Sequence, residues 1–382
     1  MGRNVLAERP VYVVGIGLHP YQRKSDTTYV QLGLTAVRQA LADAAVAWTE
    51  VETAYTGTAL LGMGASRLML SRLGATGIPM AQVENASASG STAVAQAALD
   101  VASGRTDVAL ALGVDKPRGG LAPAPGEAGI SNLEGGTIAP FTHFALLASE
   151  YMAAYGVSAE QVARVALKNH RNGAHNPNAQ RRKDRTLEEI MAEPISGSLT
   201  RLQCCPIGEG AAAVILASDE AIDRLGIDRA RCVRLLASAT RSEGLYGPGV
   251  GIDAALTVET ARDAFDQAGL EPNDLDVLEV HDAFSIEELL YTEALGLCAP
   301  GEAASLVESG EFDLGGRCAL SPSGGLLAMG HPIGPTGTGQ IAEVTRQLRG
   351  EAGARQQPSA RIGLAHMVGI GAVCVVHILS TT

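Results

Sequence analysis

Apolar and polar positions along the chain follow two rhythms, and one succession of them occurs twice. Val37 to Tyr55 (VRQALADAAVAWTEVETAY) superposes without gaps on Ala261 to Glu279 (ARDAFDQAGLEPNDLDVLE). Each copy opens with a helix-period pattern, turns at Trp48-Thr49 or Pro272-Asn273, and runs into an apolar strand. Each is followed by further elements ending in a β-rich run, Val108 to Val114 in the first half and Ile362 to Leu379 in the second. Strands alternating with helices predict an α/β fold, and the repetition predicts two copies of one βα unit.

The stretch between the copies has another character. Residues 115–200 are rich in Gly, Pro, Asn and polar groups, with helix patterns at Phe144 to Tyr155 and Ala159 to Asn169. An insertion of this length in a compact fold is usually functional. The expected organisation is a first half over 1–220, carrying an inserted loop domain over about 115–200, and a second half over 230–382. The insertion also holds the densest basic cluster: Lys168, Arg171, Arg181, Arg182, Lys183 and Arg185. It reads either as a solvated basic face or as a landing site for a phosphorylated cofactor, because guanidinium groups match phosphate geometry.

Composition narrows the function classes. The chain has 382 residues, 46% of them hydrophobic and 18% charged, enough to build large cores. With 29 Lys+Arg against 41 Asp+Glu the formal charge is −12, the wrong balance for a general nucleic-acid binder. Six cysteines (204, 205, 232, 298, 318 and 374) form no CxxC pair and no zinc spacing, so no metal site is expected. A disulfide framework is improbable in so large a core, and the chain opens without a signal-peptide pattern; both point to the cytoplasm. Ile362 to Leu379 approaches the ~20 residues of a membrane span. Its two histidines and the break at Gly369-Ile-Gly371 read instead as strand, turn and strand, so no span is expected.

Four glycine-framed segments carry polar residues that a plain core would not choose. Asn85-Ala-Ser-Ala-Ser-Gly-Ser-Thr92 leads into the helix-period run Ala93 to Ala102. A side chain there meets the backbone N–H groups of a helix start, which favour developing negative charge; the plainer reading is an N-cap. Val280-His-Asp-Ala-Phe284 puts His281 at the carboxyl end of a strand, where α/β sheets build their sites. Ser321 to Gly337 packs five glycines and three prolines around a single imidazole, His331. His366-Met-Val-Gly-Ile-Gly-Ala372 offers another imidazole with turn N–H groups.

At these segments the chain resembles a known family. GGLLAMGHPIGPTG is similar to the Gly-His-Pro motif of thiolases, which make and break 3-oxoacyl-coenzyme A. Leu202-Gln-Cys-Cys-Pro-Ile-Gly-Glu-Gly-Ala-Ala-Ala-Val-Ile-Leu216 and His281-Asp-Ala-Phe284 resemble the sterol-carrier-protein (lipid-transfer) branch of that superfamily, as does His366, at the site given to a second catalytic cysteine in ordinary thiolases. The resemblance covers essentially the whole chain. It implies a five-layered αβαβα fold of two similar halves with a loop domain inserted in the first. It implies a coenzyme A thioester as substrate with no permanently bound cofactor, the basic loop region near its phosphates, and a homodimer or tetramer. Some relatives work with a small zinc-ribbon/OB-fold partner protein.

One departure bears on mechanism. The family's Asn-Ala-Xaa-Ala-Ser-Gly segment carries the nucleophilic cysteine, and here that position is Ser87. A thiol with pKa about 8.5 ionises readily beside a His at a helix start, whereas a hydroxyl needs a base during attack. Three explanations stand: a Cys→Ser change that holds substrate without turnover, a serine nucleophile, or chemistry without a covalent intermediate. The resemblance assigns acyl transfer, with Ser87 as acceptor, His331 as its base and oxyanion donor, and His281 holding a water or carbonyl oxygen. His366 is the expected second acid/base, because the family's second cysteine is absent and the branch's cysteine after His-Asp is Ala283. Ser87 N–H and a turn N–H at Gly369 or Gly371 are the expected oxyanion donors. His143, Arg181, Arg182, Lys183, Ser323 and Gly324 are the expected coenzyme A contacts. The alternatives are a retro-aldolase acting on a β-hydroxyacyl thioester and a non-catalytic acyl-coenzyme A-binding subunit.

Overall fold

The computed structural model describes residues 4–117, 140–244, 252–369 and 373–382. Its backbone is ordered by twelve strands: β1 Val11–Gln22, β2 Thr53–Gly57, β3 Met80–Val83, β4 Val108–Asp115, β5 Pro194–Ser196, β6 Leu199–Thr200, β7 Glu209–Ser218, β8 Val233–Ser242, β9 Val277–Glu279, β10 Ala319–Leu320, β11 Ile362–Gly369 and β12 Val373–Thr381. β5 and β6 form a small ribbon. The other ten run in the order β10-β9-β11-β12-β8-β1-β7-β4-β2-β3.

That order is the sequence repeat written in hydrogen bonds. In the first half β2 pairs in parallel with β3 and β4, β4 antiparallel with β7, and β7 antiparallel with β1. In the second, β9 pairs in parallel with β10 and β11, β11 antiparallel with β12, and β12 antiparallel with β8. The halves meet where β1 and β8 pair antiparallel at Val11–Val13. The apolar C-terminal run is the antiparallel pair β11 and β12, two strands as expected; the residues 370–372 that join them lie outside the described residues.

Five layers result. The helix Tyr29–Ala44 covers the outer face of the first half, and Ile252–Ala268 that of the second. The helices Ser89–Ala102 and Thr336–Leu348 lie together between the halves. Helix Tyr29–Ala44 starts at a Thr28–Gln31 capping box and buries Leu32, Ala36, Val37 and Ala40 against β1 and its neighbours. The middle layer is small and apolar (Ala93, Ala97, Ile341, Val344), which lets the two helices approach closely.

Between β4 and β7 the chain leaves the sheet and builds the helices Pro140–Tyr155 and Ala159–Ala174, whose apolar faces join the core of the second half through Ala148, Tyr151, Val162 and Ala166. Among the described residues no helix is long and apolar enough to cross a membrane.

Candidate active site

Two of the four segments meet at the middle layer. Ser87 precedes the helix Ser89–Ala102, and its Oγ lies 2.9 Å from Nε2 of His331. Both residues are only 9% exposed. The serine is presented by a sharp turn. Ala86 takes φ +48°, and Ser89 ties the turn by donating its hydroxyl to the Ala86 carbonyl and accepting the Asn85 N–H. His331 comes from the loop ahead of the other middle helix, with its N–H on the Pro206 carbonyl. The two loops touch at glycines: a Cβ on Gly90 would sit 2.5 Å from the Gly334 carbonyl oxygen.

His331 is neutral by environment. Burial, with His281 nearby, pushes its pKa down to about 3. Its Nδ1 meets the Thr336 hydroxyl at 2.8 Å. Among the described residues no carboxylate supports this imidazole directly, a difference from a Ser-His-Asp arrangement.

His281 has the carboxylate that His331 lacks. Its Nδ1 sits 3.0 Å from Glu287 Oε1, and the other Glu287 oxygen accepts the Phe284 N–H at 2.8 Å. Nε2 of His281 is buried without a hydrogen-bond partner among the described residues. The His281 and His331 rings stand edge to face with centroids 5.5 Å apart, so Ser87, His331 and His281 share one neighbourhood.

His366 departs from expectation. It is fully buried; Nε2 lies 2.9 Å from the Thr257 hydroxyl and Nδ1 accepts the His281 N–H at 3.4 Å. Burial, with His281, pushes its pKa down to about 3. Both nitrogens are bonded within the protein, one of them to the backbone of His281. Strand alternation explains the placement, because on β11 the residue that packs against Ala88, beside Ser87, is the neighbouring Met367. Gly369 sits where a Cβ would overlap the Asn85 carbonyl, bringing the end of β11 against the serine turn. Gly371 lies outside the described residues.

The expected coenzyme A contacts are also redistributed. Ser323 donates its N–H and hydroxyl to Glu279, both at 2.8 Å, and Gly324 (φ +103°) is packed against Gly173. Arg181 spends its guanidinium on the Cys204 and Leu327 carbonyls at 2.8 and 2.9 Å. Lys183 pairs with Glu189 at 2.6 Å, as does Arg185 at 3.3 Å. Arg171 pairs with Asp313, and Lys168 is buried against Glu288 at 3.0 Å. The cluster is therefore largely neutralised by the protein's own carboxylates. Arg182 is exposed and carries no ion pair or hydrogen bond among those described. His143 is exposed on the helix Pro140–Tyr155 beside Phe144, which stacks on Phe284 of the His-Asp-Ala-Phe segment with centroids 4.5 Å apart.

No thiol substitutes for Ser87. The six cysteines are free, and burial pushes Cys204 up to about 11 and Cys298 and Cys318 up to about 12.

Sequence reasoning missed three supporting residues. Thr336 lies inside the Gly-His-Pro segment, and Glu287 sits in the first turn of the helix after His281; short spacing could have flagged both. Asp115 gave no such signal. It accepts the Gly334 N–H at 2.7 Å, the Ala59 and Leu60 N–H groups and the Thr58 hydroxyl, pinning the His331 loop to the first half.

Comparison with known proteins agrees with this architecture. The family description "Thiolase, N-terminal domain" matches residues 11–191, and "Thiolase C-terminal domain-like" matches 252–381. "Sterol carrier protein 2" of Homo sapiens is 37% identical over 96% of this chain and 71% of that protein. "Acetyl-CoA acetyltransferase" of Methanothermobacter thermautotrophicus is 37% identical over 97% of this chain and 100% of that protein. The solved structure "Ltp2-ChsH2(DUF35) aldolase" superposes with a TM-score of 0.85 at 25% identity, covering 97% of this chain and 98% of that one.

Proposed function

Because the chain belongs to the thiolase family, we propose that it is an acyl-coenzyme A C-acyltransferase in which Ser87 takes the acyl group. The observation that carries the reading is the buried 2.9 Å contact between Ser87 Oγ and His331 Nε2 ahead of a helix. In the cleavage direction, Ser87 Oγ attacks the 3-oxo carbon of a 3-oxoacyl thioester as its proton passes to His331 Nε2. The C2–C3 bond breaks, its electron pair leaves as the thioester enolate, and a proton delivered through the imidazoles completes acetyl-coenzyme A. A coenzyme A thiol then attacks the Ser87 ester, loses its proton, and releases the shortened acyl thioester. His281, oriented by Glu287, is the proposed second acid/base, with the Ser87 N–H and the Gly369 turn as oxyanion donors.

A retro-aldol reading is favoured by one specific observation. The imidazole backed by a carboxylate is His281, whereas His331 rests on the neutral Thr336 hydroxyl. Here His281 removes the proton of a β-hydroxyl, the Cα–Cβ bond breaks to give an aldehyde or ketone, and the thioester enolate is held by His331 and Ser87 before protonation. The aldolase neighbour supports this reading, and its DUF35 component supports a small partner protein here. A second copy of the chain fits the part-exposed edge strand β3. Arg182 and His143 remain the candidate coenzyme A contacts on the loop domain, and the free thiols support a cytoplasmic setting.

Ser87→Cys tests the reading. With a more acidic and more nucleophilic group at 87, thiolysis of a 3-oxoacyl thioester by free coenzyme A is expected to rise by roughly tenfold or more. A folded Ser87→Cys protein that binds acyl-coenzyme A and shows no thiolysis overturns acyl transfer. Release of an aldehyde or ketone from a β-hydroxyacyl thioester, without consumption of free coenzyme A, identifies the retro-aldolase instead.

A further inference from the structure

On the Nδ1 edge of His331 lies a chamber that the proposed chemistry does not use. Tyr21, Glu279, Ser323, Met329, Thr336 and Gln340 are among the residues that line it, leaving about 10 Å³ for the centre of a water molecule. That is the room one water needs, provided two or more polar groups face it. Thr336 already holds His331 Nδ1 at 2.8 Å. Gln340 is 4% exposed; its Nε2 donates to the His366 carbonyl at 3.2 Å, while its Oε1 is buried without a partner among the described residues. Glu279 is 1% exposed, and both its oxygens accept from Ser323.

We propose that this chamber binds one ordered water joining the Thr336 hydroxyl, the Gln340 amide oxygen and the Glu279 carboxyl, so that Glu279 is a positioning residue for His331. The hydrogen-bond directions close. His331 Nδ1–H donates to Thr336, Thr336 donates to the water, and the water donates to Gln340 Oε1. While Glu279 keeps its proton it donates to the water as well; once ionised it accepts from the water instead, and an anion then stands three hydrogen bonds behind the imidazole. Burial pushes the Glu279 pKa up to about 8, which puts this exchange in a measurable range.

Glu343 raises the Glu279 pKa and Lys168 lowers it. Arg355 and Arg346 hold the Glu343 carboxyl low although burial pushes it up, and Lys168 is paired with Glu288. Tyr21 is kept a neutral phenol by burial and by Glu279, and burial, with Glu288, pushes the pKa of Asp282, also near Glu279, upward.

The consequence for catalysis rests on His331 being the proton acceptor, so the test needs no turnover. A crystal structure of the whole protein at high resolution is expected to show one water within hydrogen-bond distance of Thr336 Oγ1 and Gln340 Oε1. With ¹⁵N-histidine labelling, and His331 assigned from a His331→Asn sample, the His331 nitrogen signals are expected to shift with a midpoint near pH 8. Glu279→Gln should abolish that shift while the other histidine signals stay in place. A chamber without water, or a His331 titration that is absent from wild type or unchanged in Glu279→Gln, overturns the proposal. If Glu279→Gln does not fold, Gln340→Leu serves: loss of both the water and the midpoint near pH 8 supports the link, and retention of the midpoint overturns it. None of these readouts depends on acyl transfer, so failure of the catalytic reading leaves them interpretable.

Discussion

A hydroxyl at the start of a helix gains from the N–H dipoles only once negative charge develops on it, so Ser87 depends on its base more than a cysteine would. The proposed base, His331, is a neutral imidazole without a direct carboxylate among the described residues. Glu287 supports the other imidazole, which makes it the residue whose charge matters most for His281. Glu287→Gln should leave a folded protein and lower turnover by roughly 10- to 100-fold, the lower part of the range for acid–base groups. Steady-state kinetics with circular dichroism check this; unchanged turnover removes His281 from the proton chemistry. Ser87, His281 and His331 were legible because each stands in a segment whose glycines or strand end a plain core would not choose. The role of His366 was not legible, since sequence marks a histidine without saying whether its nitrogens are free. The Thr257 hydroxyl and the His281 N–H that occupy them come from distant parts of the chain.

The elements that carry these side chains are held by close backbone approaches. Gly369 ends β11 where any Cβ would overlap the Asn85 carbonyl, two residues before Ser87. Gly369→Ala should push the serine turn away from His331, cost about 1–3 kcal/mol of stability as overpacking does, and remove most activity. Chemical denaturation with an activity assay tests this; a variant of native stability and activity shows that the strand end does not set the turn. The βα repeat and the C-terminal strand pair were legible from hydrophobic period alone, because β2, β9, β11 and β12 are buried at nearly every position and each covering helix on one face. The fate of the basic cluster was not. A run of arginines and lysines looks the same whether solvated or neutralised, and Glu288 and Asp313 reach it only through the tertiary fold.

Across the whole molecule, buried titratable groups set the pH range of stability. Burial, the largest cause in each case, pushes His170 and His377 down to about 4 and His331 and His366 down to about 3, against an ordinary value of 6.5. Because these folded-state values are depressed, their contribution is present above pH 6.5 and is lost as the pH falls toward 3–4. Glu279 has the opposite sign: its folded value is raised to about 8, so its contribution is present below about pH 4.5 and lost as the pH rises through 8. Asp282 is raised in the same way. Asp115 and Glu293 are raised as well, by burial. The four imidazoles carry the large depressions, so unfolding free energy should fall as the pH is lowered from 6.5 toward 4.5. Urea unfolding at several pH values measures the slope; a flat or rising stability would mean the histidines are not buried as neutral groups.

Both readings of the reaction place an acyl thioester beside Ser87 and His331, and the acyl-transfer account adds a covalent step. Intact-mass spectrometry after exposure to acyl-coenzyme A thioesters observes that step directly. The account predicts a mass increase of one acyl group, mapped to Ser87 and absent from His331→Asn. A protein that binds the thioester yet gains no mass at Ser87 would contradict it.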